Sequence, residues 1–83
     1  LNSRREPNME ISQKQFTKQP TCKIVTESDD VVNPYKSAIE IQNLKTITRY
    51  KECGIVFTQF EGQKKSVEIA QSRIRWWSIY ENK

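Results

Sequence analysis

Histidine does not occur in this chain of 83 residues. Its absence removes the commonest general base and the commonest neutral metal ligand, so neither a Ser–His–Asp nor a Cys–His catalytic site can be assembled. Cysteine is nearly as scarce. Cys22 and Cys53 are the two present; without histidine they cannot close a four-ligand zinc site, and their wide separation fits no redox or metal-binding spacing. They either pair as a disulfide, if their strands are neighbours, or remain two thiols in a reducing compartment. The glycines are Gly54 and Gly62 alone, which excludes a glycine-rich phosphate loop. No apolar run approaches the ~18 residues of a membrane span, and no basic flank followed by an apolar stretch marks a signal peptide. A soluble intracellular protein, cytoplasmic or nuclear, is expected, with no membrane contact, small-molecule substrate, metal or other cofactor. No catalytic residue is assigned, and enzymatic activity is not expected. The chain opens on Leu1 rather than methionine, which leaves room for a longer parent.

Hydrophobic residues make up 35% of the sequence and charged ones 29%, with Gly and Pro at five positions, which excludes a membrane protein and a collagen-like or Gly/Ser linker chain. At this size a single core rarely supplies more than about 3–5 kcal/mol, so a partner or a second copy is a natural source of further stability. Fourteen basic residues against ten acidic leave a net charge of +4. Residues 1–20 carry Arg4, Arg5, Lys14 and Lys18 against Glu6 and Glu10, and their few apolar groups bury too little to offset ordering entropy. They read as a flexible basic arm or a cloning remnant, with the single domain spanning 21–83.

Cys22, Ile24 and Thr26 alternate with Lys23, Val25 and Glu27, the periodicity of a short strand. Glu27, Asp29 and Asp30 gather on the turn after it; their spacing fits no calcium loop, and turn chemistry explains them. Asn33-Pro34 has the form of a helix N-cap followed by proline at the first helical position. Residues 35–44 then read either as a short helix, on the spacing of Tyr35, Ala38 and Ile39, or as a strand, on the alternation of Ile39 and Ile41 with Glu40 and Gln42. The local capping signal favours the helix. Residues 46–52 and 55–60 are rich in strand formers and flank Cys53-Gly54, so they are expected to pair as an antiparallel hairpin. Residues 64–80 contain neither glycine nor proline and are expected to form a long helix. On that helix Val67, Ala70, Ile74 and Trp77 form one apolar stripe, and Ile69, Trp76 and Tyr80 form a second beside it, more than one sheet face can cover.

Two sets of residues stand out as candidate binding groups. Arg49, Lys51, Lys64, Lys65, Arg73 and Arg75 interleave with aromatics, the mixture in which cations meet phosphates and rings meet bases on single-stranded nucleic acid. Ile69, Trp76 and Tyr80 form an apolar patch fit for a partner helix or a second copy, because tryptophan and tyrosine give large contact area at low entropy cost. A solvated basic face, and a Trp77 that caps the core beside a half-exposed Trp76, are the plain structural alternatives.

The run from Ile55 through Gly62, Val67 and Ala70 to Ile74 resembles the closing strand, glycine turn and last helix of KH domains. That resemblance implies a nucleic-acid-binding scaffold. KH domains grip the backbone with a GxxG loop, and the corresponding region near Val32-Asn33-Pro34-Tyr35 has no glycine. No RNA-contact residue carries over, and the likeness implies a degenerate member that has shifted toward protein contacts.

The sequence thus predicts an α+β domain: a small antiparallel sheet of about three strands packed on a long C-terminal helix. The expected function is a non-enzymatic binding module, or adaptor, for single-stranded RNA or DNA within a ribonucleoprotein or regulatory assembly. The alternative is a protein-interaction or homodimerisation module working through the aromatic face of the C-terminal segment.

Overall fold

A computed structural model of the chain describes residues 9–27 and 38–81. Among these residues seven strands follow in order: β1 (Met9–Gln15), β2 (Thr21–Thr26), β3 (Ala38–Ile41), β4 (Leu44–Glu52), β5 (Ile55–Gly62), β6 (Ser66–Ala70) and β7 (Ile74–Tyr80). A single 3₁₀ turn, Gln71–Arg73, joins the last two. They build two antiparallel sheets, one ordered β1-β4-β5-β6 and one ordered β3-β2-β7.

The expected α+β architecture is corrected by this arrangement, and no long C-terminal helix exists. Residues 64–80 divide into β6, the 3₁₀ turn and β7. The physical reason lies in composition and phase. Isoleucine, tryptophan and tyrosine are mediocre helix formers but good strand formers. The apparent helical stripe joins residues from two strands: Val67 and Ala70 lie before the turn, Ile74 and Trp77 after it. The segment that resembles the end of a KH domain accordingly folds as β5, β6 and the turn, without a helix.

The helix favoured within 35–44 is likewise corrected where it is described. Ala38–Ile41 is strand β3, with Ile41 buried, Ile39 half-buried and Glu40 exposed, the alternation of a half-covered strand. Asn33, Pro34 and Tyr35 lie outside the described residues, as do Asp29 and Asp30. Met9–Gln15, within the stretch expected to be a basic arm, is strand β1 and pairs with β4 through a bulge between Glu10 and Ser12.

The strands expected near 22–27, 46–52 and 55–60 appear as β2, β4 and β5. The β4–β5 hairpin closes on Cys53 (φ 53°) and Gly54 (φ 79°). Two positive φ values are what a two-residue type I′ turn demands, because its twist matches that of the strands.

Rows across the first sheet show how its two faces differ. Lys14, Ile47, Phe60 and Val67 stand in one register row, and Ser12, Arg49, Thr58 and Ile69 in the next row of the same face. The opposite face carries Gln13, Thr48, Gln59 and Glu68, flanked by Gln15, Thr46, Glu61 and Ser66. Beyond them Tyr50 and Phe57 stack with ring centroids 5.6 Å apart. In the second sheet, Ile41, Cys22 and Ile79 share a row, as do Ile39, Ile24 and Trp77. The core forms where the apolar rows of the two sheets meet: Cys22, Ile24, Ile41, Leu44, Ile47 and Phe60 are buried together, with Phe16, Ile39, Val67, Ile69, Ile74 and Trp77 packed around them.

Backbone bonds tie one sheet to the other at the chain crossings. Leu44 N–H donates to Pro20 O at 2.8 Å, while Glu27 N–H donates to Arg73 O at 2.8 Å and carries the β2–β7 pairing on into the 3₁₀ turn. Asn43 and Gln63 clasp the β3–β4 and β5–β6 turns: Gln63 N–H donates to Asn43 O at 3.1 Å, and Asn43 Nδ2 donates to Gln63 Oε1 at 3.2 Å.

Candidate binding surface

Period-two geometry sends alternate residues of β7 to opposite faces of its sheet. Trp77 and Ile79 stand in the rows of Ile24 and Cys22, on the core side. Trp76, Ser78 and Tyr80 stand in the rows of Val25, Lys23 and Thr21, on the outer side. Trp76 is 49% exposed and Tyr80 47%. Four residue steps separate them, about 13 Å along the strand. Lys23 stands opposite Ser78, between the two rings in register, with Glu40 as its neighbour on β3.

The three residues expected to form one apolar patch are divided. Trp76 and Tyr80 share a face, while Ile69 lies on β6 opposite Thr58, half-buried against the core of the other sheet. A helix would have placed Ile69 beside Trp76; the two strands place them on different sheets. Ile79, 38% exposed, was missed by the helical reading. The alternation of Trp77 and Ile79 with Trp76, Ser78 and Tyr80 is the signal that finds it.

The six candidate cations occupy separate parts of the molecule. Lys64 and Lys65 are on the β5–β6 turn, where they line a hollow of about 270 Å³ with Glu40, Gln42 and Asn43. Lys51, at the far end of β4, is exposed beside the type I′ turn, and Arg73 is exposed on the 3₁₀ turn. Arg75 precedes Trp76 and forms a 3.6 Å ion pair with Glu27. Arg49 is the half-buried one. It lines a mostly apolar cleft of about 280 Å³ between β1, β4 and β7, together with Phe16, Ile47, Trp77 and Ile79, and its buried Nε has no hydrogen-bond partner. The outer face of the first sheet bears Glu10, Glu61 and Glu68 instead of cations.

Cys22 and Cys53 are both free thiols, the first buried and the second exposed on the hairpin turn. Burial pushes the Cys22 thiol up to about 11, since an apolar site disfavours the thiolate. Among the described residues no group of three histidine, cysteine or acidic side chains stands close enough to hold a metal ion, and no helix is long and apolar enough to cross a membrane. No protein-family model, characterised protein or solved structure matches the chain.

The strand edge of β7 completes the surface. β7 pairs with β2 along one side, and no described strand pairs with the other. Its outward edge therefore offers a row of backbone donors and acceptors beside exposed Trp76, Ile79 and Tyr80.

Proposed function

We propose that this chain is a non-enzymatic binding module whose working surface is the free edge and outer face of β7, and whose ligand is an extended polypeptide strand. One observation carries the reading: a single open strand edge is lined by the three large side chains Trp76, Ile79 and Tyr80, each more than a third exposed. Strand addition draws affinity from main-chain hydrogen bonds and specificity from alternate side chains, and rigid aromatics beside the edge supply contact area. Panning a random ten-residue peptide library tests it. Selected peptides are expected to lose at least tenfold in affinity on Trp76→Ala together with Tyr80→Ala, while the variant keeps its denaturation midpoint, and to protect β7 amides from exchange. Absence of any selected peptide, or binding that ignores both substitutions, overturns the reading.

A second reading takes single-stranded RNA or DNA as ligand. It is favoured by Lys23 standing in register between Trp76 and Tyr80 on one sheet face, an arrangement in which two rings stack on bases and a cation meets the phosphate between them. Arg75, next to Trp76, is the nearest in sequence of the six candidate cations. Titration with a homopolymeric oligonucleotide at two salt concentrations separates the readings, since phosphate contacts make affinity fall steeply with salt. No binding at low salt removes this second reading.

A further inference from the structure

Among the described residues the two sheets have four edge strands, and these are not alike. β1 carries a bulge between Glu10 and Ser12 and a lysine at position 14. β3 is four residues long with Glu40 in it, and β6 is five residues long with Glu68 in it. Bulges, charges and short length are the devices that keep one sheet edge from pairing with another. β7 has them only at its start, where the register with β2 shifts near Arg75. From Trp76 to Tyr80 the edge is uncharged, free of proline and regular. Such an edge is a template for another strand.

We infer that two copies of this chain join β7 to β7, antiparallel about a two-fold axis at Ser78, so that the sheets β3-β2-β7 of both merge into one of six strands. The inference rests on the reading of β7 as a strand-binding edge and names its occupant. A two-fold axis perpendicular to the sheet keeps core-side residues opposite core-side residues, which allows registers centred on Trp77, Ser78 or Ile79. Centring on Trp77 sets Trp76 against Ser78 and Arg75 against Ile79. Centring on Ile79 sets the Trp77 ring against Glu81. Centring on Ser78 sets Trp76 opposite Tyr80, Trp77 opposite Ile79 and Arg75 opposite Glu81, each twice by symmetry. Aromatic pairs and opposite charges are the favourable cross-strand combinations, and this register alone supplies both with no mismatch. Within its own chain the guanidinium of Arg75 also meets Glu27 at 3.6 Å. An isologous contact of this kind closes on itself and does not propagate into a fibre.

Sedimentation equilibrium of the unaltered chain reads the mass, and cysteine crosslinking reads the register. In a Cys53→Ser background, Ser78→Cys places two sulfurs on the axis, with Cα atoms about 4.5–5.5 Å apart, inside the span of a disulfide. Lys23→Cys in the same background is the control; its two copies lie three strand spacings apart, about 14 Å. The expected result is a mass of twice 9.8 kDa, with oxidation linking Ser78→Cys into a covalent dimer and leaving Lys23→Cys unlinked. A mass of 9.8 kDa at every concentration, or a dimer in which the two cysteine variants link equally, overturns the self-pairing. Peptide binding that persists in a monomer would leave the strand-binding reading standing. A dimer without peptide binding, linked at Ser78→Cys, means that the edge serves self-association alone.

Discussion

Phe60 of β5 meets Trp77 of β7 edge-on, with ring centroids 5.2 Å apart and ring planes at 80°. The pair crosses the core from one sheet to the other, so the strand that bears the exposed aromatics is anchored to the opposite sheet through Trp77. Edge-to-face rings contribute about 0.5–1.5 kcal/mol beyond the area they bury. A double-mutant cycle with Phe60→Leu and Trp77→Leu, read by urea denaturation, is expected to return a coupling in that range. Phe60→Ala goes further. Phe60 is fully buried, truncation there costs about 3–5 kcal/mol, and a domain of this size has little more to lose. That variant is expected to be unfolded by circular dichroism, and a coupling of zero in the cycle would mean that the rings share space without interacting.

How much of this was legible depends on which physical signal was local. The Cys53-Gly54 turn and its two strands were readable because a two-residue loop with glycine constrains its own geometry. β2 was readable because four of its six residues, Thr21, Ile24, Val25 and Thr26, are β-branched strand formers. The last third of the chain misled for a definite reason: Gln71–Arg73 interrupts two strands without glycine or proline, so nothing in the sequence marks the turn. Val67, Ala70, Ile74 and Trp77 fall at helical spacing only by summing across it. β1 was missed because its polar residues draw their order from pairing with β4 rather than from burial. Of the candidate surface, Trp76 and Tyr80 were legible as unusual aromatics. Their shared face survives the change from helix to strand because a separation of four is even. Ile69 did not survive, because the turn lies between.

Gly62, the last residue of β5, packs directly against Ile41 of β3 and the turn that follows it. A Cβ built there would stand 2.6 Å from Ile41 Cγ2 and 2.8 Å from the Gln42 carbonyl oxygen. The second neighbour is backbone, so no side-chain rearrangement relieves the whole clash. Gly62→Ala is expected to destabilise by about 1–3 kcal/mol, the usual cost of overpacking. A midpoint in urea equal to that of the unaltered chain would show that the β3–β4 turn yields freely.

Thr58 is fully buried and its hydroxyl donates to Gln71 Oε1 on the 3₁₀ turn. The two partners are not equivalent. Gln71 is half-exposed, so after Thr58→Val its amide turns to water and the loss is about 0.5–1.5 kcal/mol. Gln71→Ala strands a buried hydroxyl, which costs about 1–3 kcal/mol. The measurement is the difference between the two variants in one denaturant series, with Gln71→Ala the less stable. The opposite order would mean that the Thr58 hydroxyl finds another acceptor within the sheet.

The two thiols should behave as different chemical species. Exposed Cys53 is expected to react with a disulfide reagent at pH 8 in the folded protein, while buried Cys22 reacts only on unfolding, because the thiolate is the nucleophile and its pKa is pushed up to about 11. The same shift makes stability depend on pH. In the unfolded chain this thiol ionises near its ordinary 9.0, so between that value and about 11 the folded state keeps a proton that the unfolded state has released. Stability contributed by the neutral thiol is complete below the unfolded value and is lost as pH climbs through this window, by up to roughly 1 kcal/mol per pH unit. The quantity to measure is the difference in slope between the unaltered chain and Cys22→Ala, with denaturation midpoints taken from pH 8 to 11, since every other group is common to both. The unaltered chain should show the steeper fall. Equal slopes, or labelling of both thiols in the folded protein, would mean that the core around Ile24 and Ile41 opens to solvent far more readily than its packing implies.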